Sequence, residues 1–228
     1  MANQLIIGVS GKKQSGKNTM CDCLFNYIEK QFGEGFCKIY SFADALKEKV
    51  CIDTLGLTYE QCYGTDDQKN SPTMYKWETL PREIRHQNRL GENRASNGEI
   101  YEFIYSTGYM TAREVMQIVG TDVFRQYFDE NIWVNATFRN IKKEGYKFAL
   151  ISDLRFPSEA EGVIKEEGVV VRLLRDVCNK DSHSSETALD DFDFNRENCI
   201  VFDNKEMNIE DQNTATISMF KEEILVKL

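Results

Sequence analysis

The residues best suited to chemistry stand near the amino terminus, in Gly11-Lys12-Lys13-Gln14-Ser15-Gly16-Lys17-Asn18-Thr19. An apolar run, Leu5-Ile6-Ile7-Gly8-Val9, precedes them, and Met20, Cys23, Leu24, Tyr27 and Ile28 follow at helical spacing. Gly-x4-Gly-Lys between a strand and a helix is the layout of a phosphate cradle. Glycines let the backbone wrap with its N–H groups turned inward, and the helix start adds positive potential. Lys17 supplies a mobile charge for the β- and γ-phosphates, and Lys12 and Lys13 add to the local field. On this reading the loop and helix start from Gly11 to Thr19, with Lys13, Ser15, Gly16, Lys17 and Asn18 between, cradle phosphates. A turn with chance glycines would not also bring the right flanking elements.

A second group closes another apolar run, in Phe148-Ala149-Leu150-Ile151-Ser152-Asp153-Leu154-Arg155. In a parallel sheet the carboxyl ends of the strands share one edge, so Asp153 and Arg155 are expected beside the loop that carries Lys17. Asp153, directly or through water, and Thr19 are candidate ligands for Mg2+, and Arg155 would neutralise a transferring phosphate. A structural Asp–Arg pair is the competing reading. Asp44 and Lys47 follow the second predicted strand to the same edge, as substrate contacts or as a solvated helix face. An alcohol acceptor needs a general base, but one acceptor class needs none. A phosphate monoester has a second pKa of about 6 and is already mostly dianionic at pH 7. Its kinase must align two polyanions and neutralise them. Closure must also exclude water, or ATP is hydrolysed.

The rest of the chain must position these groups. Of 228 residues, 41% are hydrophobic and 29% charged, enough apolar material for a real core. With 28 Lys plus Arg against 37 Asp plus Glu, the net charge of −9 disfavours a duplex-binding or anionic-membrane surface. No apolar run is long enough for a membrane span, and the opening residues do not read as a signal peptide, so the expected location is the cytoplasm. The seven cysteines are scattered and expected to be reduced, and His86 and His183 offer no zinc-finger spacing. Further strands are predicted over 36–40, 147–152, 169–174 and 199–202. Ser41 is the predicted cap of a helix reaching about Cys51. Thr111-Ala112-Arg113-Glu114 and Ser158-Glu159-Ala160-Glu161 read as capping boxes, Gly120-Thr121-Asp122 as an interruption, Gly168 as a helix stop and 214–228 as a last helix. Helices alternating with short apolar strands argue for an α/β fold with a parallel sheet.

Between Ile52 and Gly108 the periodicity dissolves, which marks 52–110 as a mostly helical insertion and candidate substrate cap. Tyr75, Trp77, Tyr101, Phe103 and Tyr105 within it are either a base-stacking surface or a local core. Residues 176–195 read as a polar lid. The whole is one domain carrying these two additions.

The motif 12–19, Phe42-Ala43-Asp44-Ala45-Leu46-Lys47, Arg113-x3-Gln117-x2-Gly120-Thr121-Asp122, Asp153-x-Arg155 and His183-x-Ser185-Glu186, with Trp133 among them, resemble in that order the bacteriophage deoxynucleoside monophosphate kinases. Phosphomevalonate kinases look like distant relatives. Nucleoside monophosphate kinases commonly carry Gly-Lys-x-Thr, which Asn18-Thr19 matches. The resemblance implies a three-layer P-loop kinase fold with strand order 2-3-1-4-5, and Mg2+-dependent transfer from ATP to (deoxy)nucleoside monophosphates. It implies that the phosphates held by Gly11 to Thr19 are those of ATP, with Lys17, Asp153 and Arg155 as catalytic, and Lys47, Arg113 and Arg155 as phosphate-binding. Gln117 and Asp122 would touch base or sugar, or else pack and cap. Arg175 and Asn204 would lie near the adenine, or else in a solvated loop. His183–Glu186 would lie on the lid, with Glu186 toward substrate, or else begin a helix. Relatives of this type are often dimers, with Trp133 and Phe138 either at the contact or in the core. A kinase for another small phosphomonoester and a non-catalytic nucleotide-binding protein are the alternatives. Nucleic acid and membrane partners are not expected.

Overall fold

Leu5–Ser10 forms strand β1, and every residue of it is buried. Such a strand needs cover on both faces, and the computed structural model, which describes residues 4–87, 106–176 and 187–227, supplies it. β1 pairs in parallel with β5 (Phe148–Leu154) and β6 (Val169–Leu173). β2 (Cys37–Tyr40) adds to β5, and β7 (Cys199–Phe202) adds to β6. The order is therefore β2-β5-β1-β6-β7. Counting the strands of this sheet along the chain, it is 2-3-1-4-5, as the resemblance implied. Helices α1 (Lys17–Phe32) and α8 (Ile209–Met219) cover one face through Met20, Leu24, Ile28, Met219 and the following Phe220. Helices α6 (Ile132–Glu144) and α7 (Pro157–Lys165) cover the other through Val134, Phe138, Ile141, Ala160 and Val163. Trp133 and Phe138 are both buried within the chain.

The chain divides into two compact units, Met1–Ala43 with Trp133–Leu228, and Asp44–Ile132. The second opens with a π-helical segment, Ala45–Ile52. Two short helices follow, α2 (Tyr59–Tyr63) and α3 (Asp66–Lys69), each started by a capping box from Thr58/Gln61 or Thr65/Gln68. β3 (Pro72–Lys76) pairs antiparallel with β4 (Tyr109–Thr111), so the segment expected to be mostly helical also carries a small sheet. Arg82–Gln87 is α4, and Ala112–Gln117 is α5. Their core gathers Cys51, Leu57, Cys62, Trp77, Met110, Ala112, Val115 and Ile118. Trp77 thus packs inside, and the Tyr75 hydroxyl donates to the Leu55 carbonyl at 2.8 Å. Tyr101, Phe103 and Tyr105 lie outside the described residues.

Several local expectations are corrected by competing contacts. Thr111 and Glu114 do form their capping box. The π-helical segment starts only at Ala45 and no side chain caps it; Ser41 lies earlier, where its hydroxyl donates to Asp153 and accepts the Ala43 N–H. Around Ser158, the reciprocal acid is Glu159, not Glu161. Its buried carboxylate accepts the N–H groups of Arg155 at 2.7 Å and Phe156 at 3.1 Å, ahead of Pro157 at the first helical position. Gly120 does not interrupt its helix. α5 passes into a π-helical stretch, Ile118–Arg125, and a Cβ at Gly120 would lie 2.5 Å from Leu46 Cδ2. Tyr127 and Phe128, which follow this stretch, are exposed. After α7 the left-handed turn is made by Glu167 (φ 58°); Gly168 is required instead because a Cβ there would sit 2.6 Å from the Ile6 carbonyl. The last helix starts at Ile209, not Thr214, because Asn208 caps it by accepting the Asp211 N–H at 2.9 Å.

Among the described cysteines all thiols are free. Burial, then Glu29, pushes Cys37 up to about 12, and burial, then Cys62, does the same for Cys51. No helix among the described residues is long and apolar enough to cross a membrane.

Candidate active site

The loop between β1 and α1 closes on itself, with the Ser15 N–H donating to the Lys12 carbonyl at 3.2 Å. Gln14 (φ 59°) and Gly16 (φ 96°) take the left-handed conformation. No side chain caps α1, and its first turn holds no acid. The amides and the positive end of that helix therefore meet no carboxylate of their own first turn, which suits an anion. Lys17 begins the helix and is 9% exposed. Its ammonium folds back to donate to the carbonyls of Gly11 and Lys12, both at 2.7 Å. A Cβ at Gly11 would come 2.4 Å from Ser15 Oγ and 3.0 Å from Leu173 Cβ, so a larger residue would displace the loop's own side chains. The Ser15 hydroxyl is buried and meets no hydrogen-bond partner among the described residues. Lys13 and Asn18 are exposed, and Thr19 is half-buried on the first turn of α1.

Register places the second group at the same sheet edge. Ser10 of β1 lies opposite Leu154 of β5, so Asp153 and Arg155 flank the position where the loop departs. Asp153 Oδ2 accepts the Ser41 hydroxyl at 2.5 Å and the Ala43 N–H at 3.3 Å, while Oδ1 accepts the Phe42 N–H at 2.8 Å. The carboxylate thus fastens the end of β2. A carboxylate offers about four acceptor sites, so capacity remains beyond these three bonds. Mg2+ keeps several waters and takes one or two carboxylates besides substrate phosphates, and the oxygen donors of Asp153 and Thr19 are of the type such an ion takes. Arg155 is half-buried, its main chain held by Glu159 as described.

Two further groups beside the loop were not singled out from the sequence. Arg172, 12% exposed in its side chain, donates to Ser10 Oγ at 3.0 Å and lies 3.5 Å from Asp190. Asp190 also accepts Lys12 Nζ through both oxygens, at 2.7 and 2.8 Å. Leu189 is buried in the core, and Phe192 and Phe194 pack against it, so this end of the expected lid is anchored. A single basic residue in Val169-Val170-Val171-Arg172-Leu173, at the carboxyl end of a buried strand, is the sequence signal that marks Arg172. Glu186 and His183 lie outside the described residues.

Asn204 is fully buried. Its Nδ2 donates to the Ser15 carbonyl at 2.8 Å and to Gln212 Oε1 at 2.9 Å, and its Oδ1 accepts the Arg175 N–H at 2.9 Å. The Arg175 guanidinium donates to the carbonyls of Asn204 and Met207. Asn204 is therefore not solvated, and Arg175 is half-buried.

In the Asp44–Ile132 unit, Lys47 Nζ lies 4.4 Å from the centre of the Tyr63 ring, and the Tyr63 hydroxyl donates to Asp44 Oδ1 at 2.9 Å. Burial, followed by Asp44, pushes the Tyr63 hydroxyl well above its ordinary range. Arg113 donates to Asp66 at 2.7 Å and to Asn70 at 3.0 Å. Gln117 is exposed and Asp122 half-buried. Asp44, Lys47 and Tyr63 form one cluster, while Arg113 is held by α3.

A five-stranded parallel sheet in this order, with a glycine loop and buried lysine between its central strand and first helix, defines a P-loop phosphotransferase. Residues 69–213 match the family model of deoxynucleotide monophosphate kinase. The chain is 30% identical over 200 residues to the "Putative deoxynucleotide monophosphate kinase" of Acanthamoeba polyphaga mimivirus, covering 81% of this chain and 82% of that protein. It is 24% identical over 185 residues to the "Deoxynucleoside-5'-monophosphate kinase" of Escherichia phage T5, covering 69% and 70%. The chain belongs to the deoxynucleotide monophosphate kinase family. It is a phosphotransferase of nucleotide metabolism, with ATP and a deoxynucleoside monophosphate as its substrates.

Proposed function

We propose that Lys17, the first-turn amides of α1 and Arg155 stabilise the γ-phosphoryl group as it passes from ATP to the phosphate of a deoxynucleoside monophosphate. The observation that carries this reading is the Lys17 ammonium, held at 2.7 Å by two loop carbonyls at the uncapped start of α1. Exchange of those carbonyls for phosphate oxygens leaves the ammonium charge-paired with the triphosphate. The acceptor needs no deprotonation, because its phosphate is mostly dianionic at neutral pH. Catalysis is then positioning and charge neutralisation. Thr19 and Asp153, the latter partly through water, would hold Mg2+, whose charge would offset that of the phosphates. Lys47 and Arg113 take the acceptor phosphate, as the resemblance implies, with Asp44, Gln117, Asp122 and Glu186 toward its sugar and base.

Turnover on a panel of ribo- and deoxynucleoside monophosphates with ATP and Mg2+ tests the reading. Lys17→Ala is expected to keep its melting profile and lose about 10²–10³-fold in kcat. Arg113→Ala is expected to raise KM for the monophosphate while leaving KM for ATP unchanged. Normal turnover by Lys17→Ala would remove the phosphate cradle from the mechanism.

A further inference from the structure

We propose that Asn204 and Gln212 act as one positioning clamp that fixes the phosphate loop from behind, setting the orientation of its amides toward ATP. A loop that turns its N–H groups toward a phosphate turns its carbonyls the other way, and those need donors of their own. Two of them find side-chain amides. The Ser15 carbonyl accepts Asn204 Nδ2 at 2.8 Å, and the Gly16 carbonyl accepts Gln212 Nε2 at 3.1 Å. The amides also bind each other, Asn204 Nδ2 to Gln212 Oε1 at 2.9 Å, and Asn204 Oδ1 is held by the Arg175 N–H. Asn204 is 0% exposed and Gln212 1%, so solvent does not compete.

The clamp also dictates the loop sequence. A Cβ on Gly16 would lie 2.7 Å from Gln212 Oε1 and 2.9 Å from its Nε2. The motif glycine is thus favoured by its positive φ, and a Cβ there would also displace the amide behind it. Each clamp residue must carry a donor and an acceptor in one group, which suits Asn and Gln and not their acids. A carboxylate at either place would lose donors and put negative charge behind a loop that binds anions. Asn204 follows β7 and Gln212 lies in the first turn of α8, so these two elements set the geometry of a loop some 190 residues away along the chain.

The inference rests on the phosphate-cradle reading, and the experiment separates the two. Gln212→Met keeps the side-chain volume on α8 and removes the hydrogen bonds; Asn204→Asp keeps the shape and removes the donors to Ser15 and Gln212. Each is measured for kcat, for KM of ATP and of the monophosphate, and for melting temperature with and without ATP. A misplacement on the ångström scale costs about 10²-fold. The expected result is a loss of roughly 10–100-fold in kcat/KM for ATP, with KM for the monophosphate within about twofold and a smaller ATP-induced rise in melting temperature. The double variant should lose little more than the worse single one, as for residues acting as a unit. Wild-type kinetics with ATP in Gln212→Met, with or without a lower melting temperature, would overturn the clamp even if Asn204→Asp failed to fold. If Lys17→Ala is inactive in the same assay, that failure belongs to the clamp alone; if Lys17→Ala is fully active, the cradle itself is wrong.

Discussion

Gly16 carries two constraints at one atom. Its φ of 96° costs a residue with a Cβ roughly 1–2 kcal/mol, and the Cβ would push on the Gln212 amide. Gly16→Ala is therefore expected to lower stability by about 1–3 kcal/mol and to weaken ATP binding by more than that strain alone implies, because the loop must shift. Calorimetric melting with an ATP titration reads both. Residue spacing made Gly11, Gly16 and Lys17 legible, since the motif is local and its backbone geometry is fixed by the glycines. Asn204 was marked from the sequence only through resemblance, and Gln212 not at all. Their partners stand far away along the chain, and an isolated Asn or Gln carries no periodicity and no charge. Ser41 was misread for a related reason. A serine before a helical pattern looks like a cap, and only the fold shows that the helical segment starts further on, at Ala45, and that the Ser41 hydroxyl donates to Asp153.

At the scale of elements, hydrophobic period and the strand–helix alternation revealed the parallel sheet, because a buried strand must be apolar throughout. The hairpin of β3 and β4 stayed hidden, since its exposed–intermediate alternation is weak and its strands are separated by a long insertion. The segment after Thr187 shows how an anchor and a clasp combine. Leu189 holds it in the core, and Asp190 then reaches Lys12 and Arg172, two cations beside the phosphate loop. Asp190→Asn removes the negative charge facing both and should lower KM for ATP a few-fold at low ionic strength, with the gain fading as salt screens the exposed groups. A KM unchanged at every salt concentration would show that these cations do not reach the nucleotide. Glu144, at the end of α6, links to β2 by accepting Lys38 Nζ at 2.7 Å and the Tyr40 hydroxyl at 2.8 Å. Burial acts to raise its pKa, but the bonds from Lys38 and Tyr40 outweigh this and hold the carboxyl below its ordinary value. A carboxyl depressed in the folded state contributes stability above its unfolded pKa of about 4.3, and loses it as pH falls through the folded value. The stability gap between wild type and Glu144→Gln should be flat above about pH 5 and close at lower pH, read by urea titrations across pH 3–7.

On the scale of the molecule, each of the two units has its own core and one of the two tryptophans. Trp133 is buried in the unit built on the five-stranded sheet, and Trp77 is buried among Leu57, Met110 and Val115 in the Asp44–Ile132 unit. The sheet unit carries cores on both faces of its sheet, and the smaller unit has a single cluster. Less apolar burial means less stability, so the smaller unit should open at lower denaturant. Trp133→Phe leaves Trp77 to report on that unit, and Trp77→Phe leaves Trp133 to report on the other. Urea unfolding followed by fluorescence should give an earlier midpoint for the Trp77 reporter and a smaller m-value, since m scales with the surface exposed. Added ATP should move the Trp133 midpoint upward, because the phosphate loop belongs to that unit and a ligand stabilises the state that binds it. Superimposable transitions with equal m-values would instead mean that the two units unfold as one cooperative body, and the shift with ATP would then appear equally in both reporters.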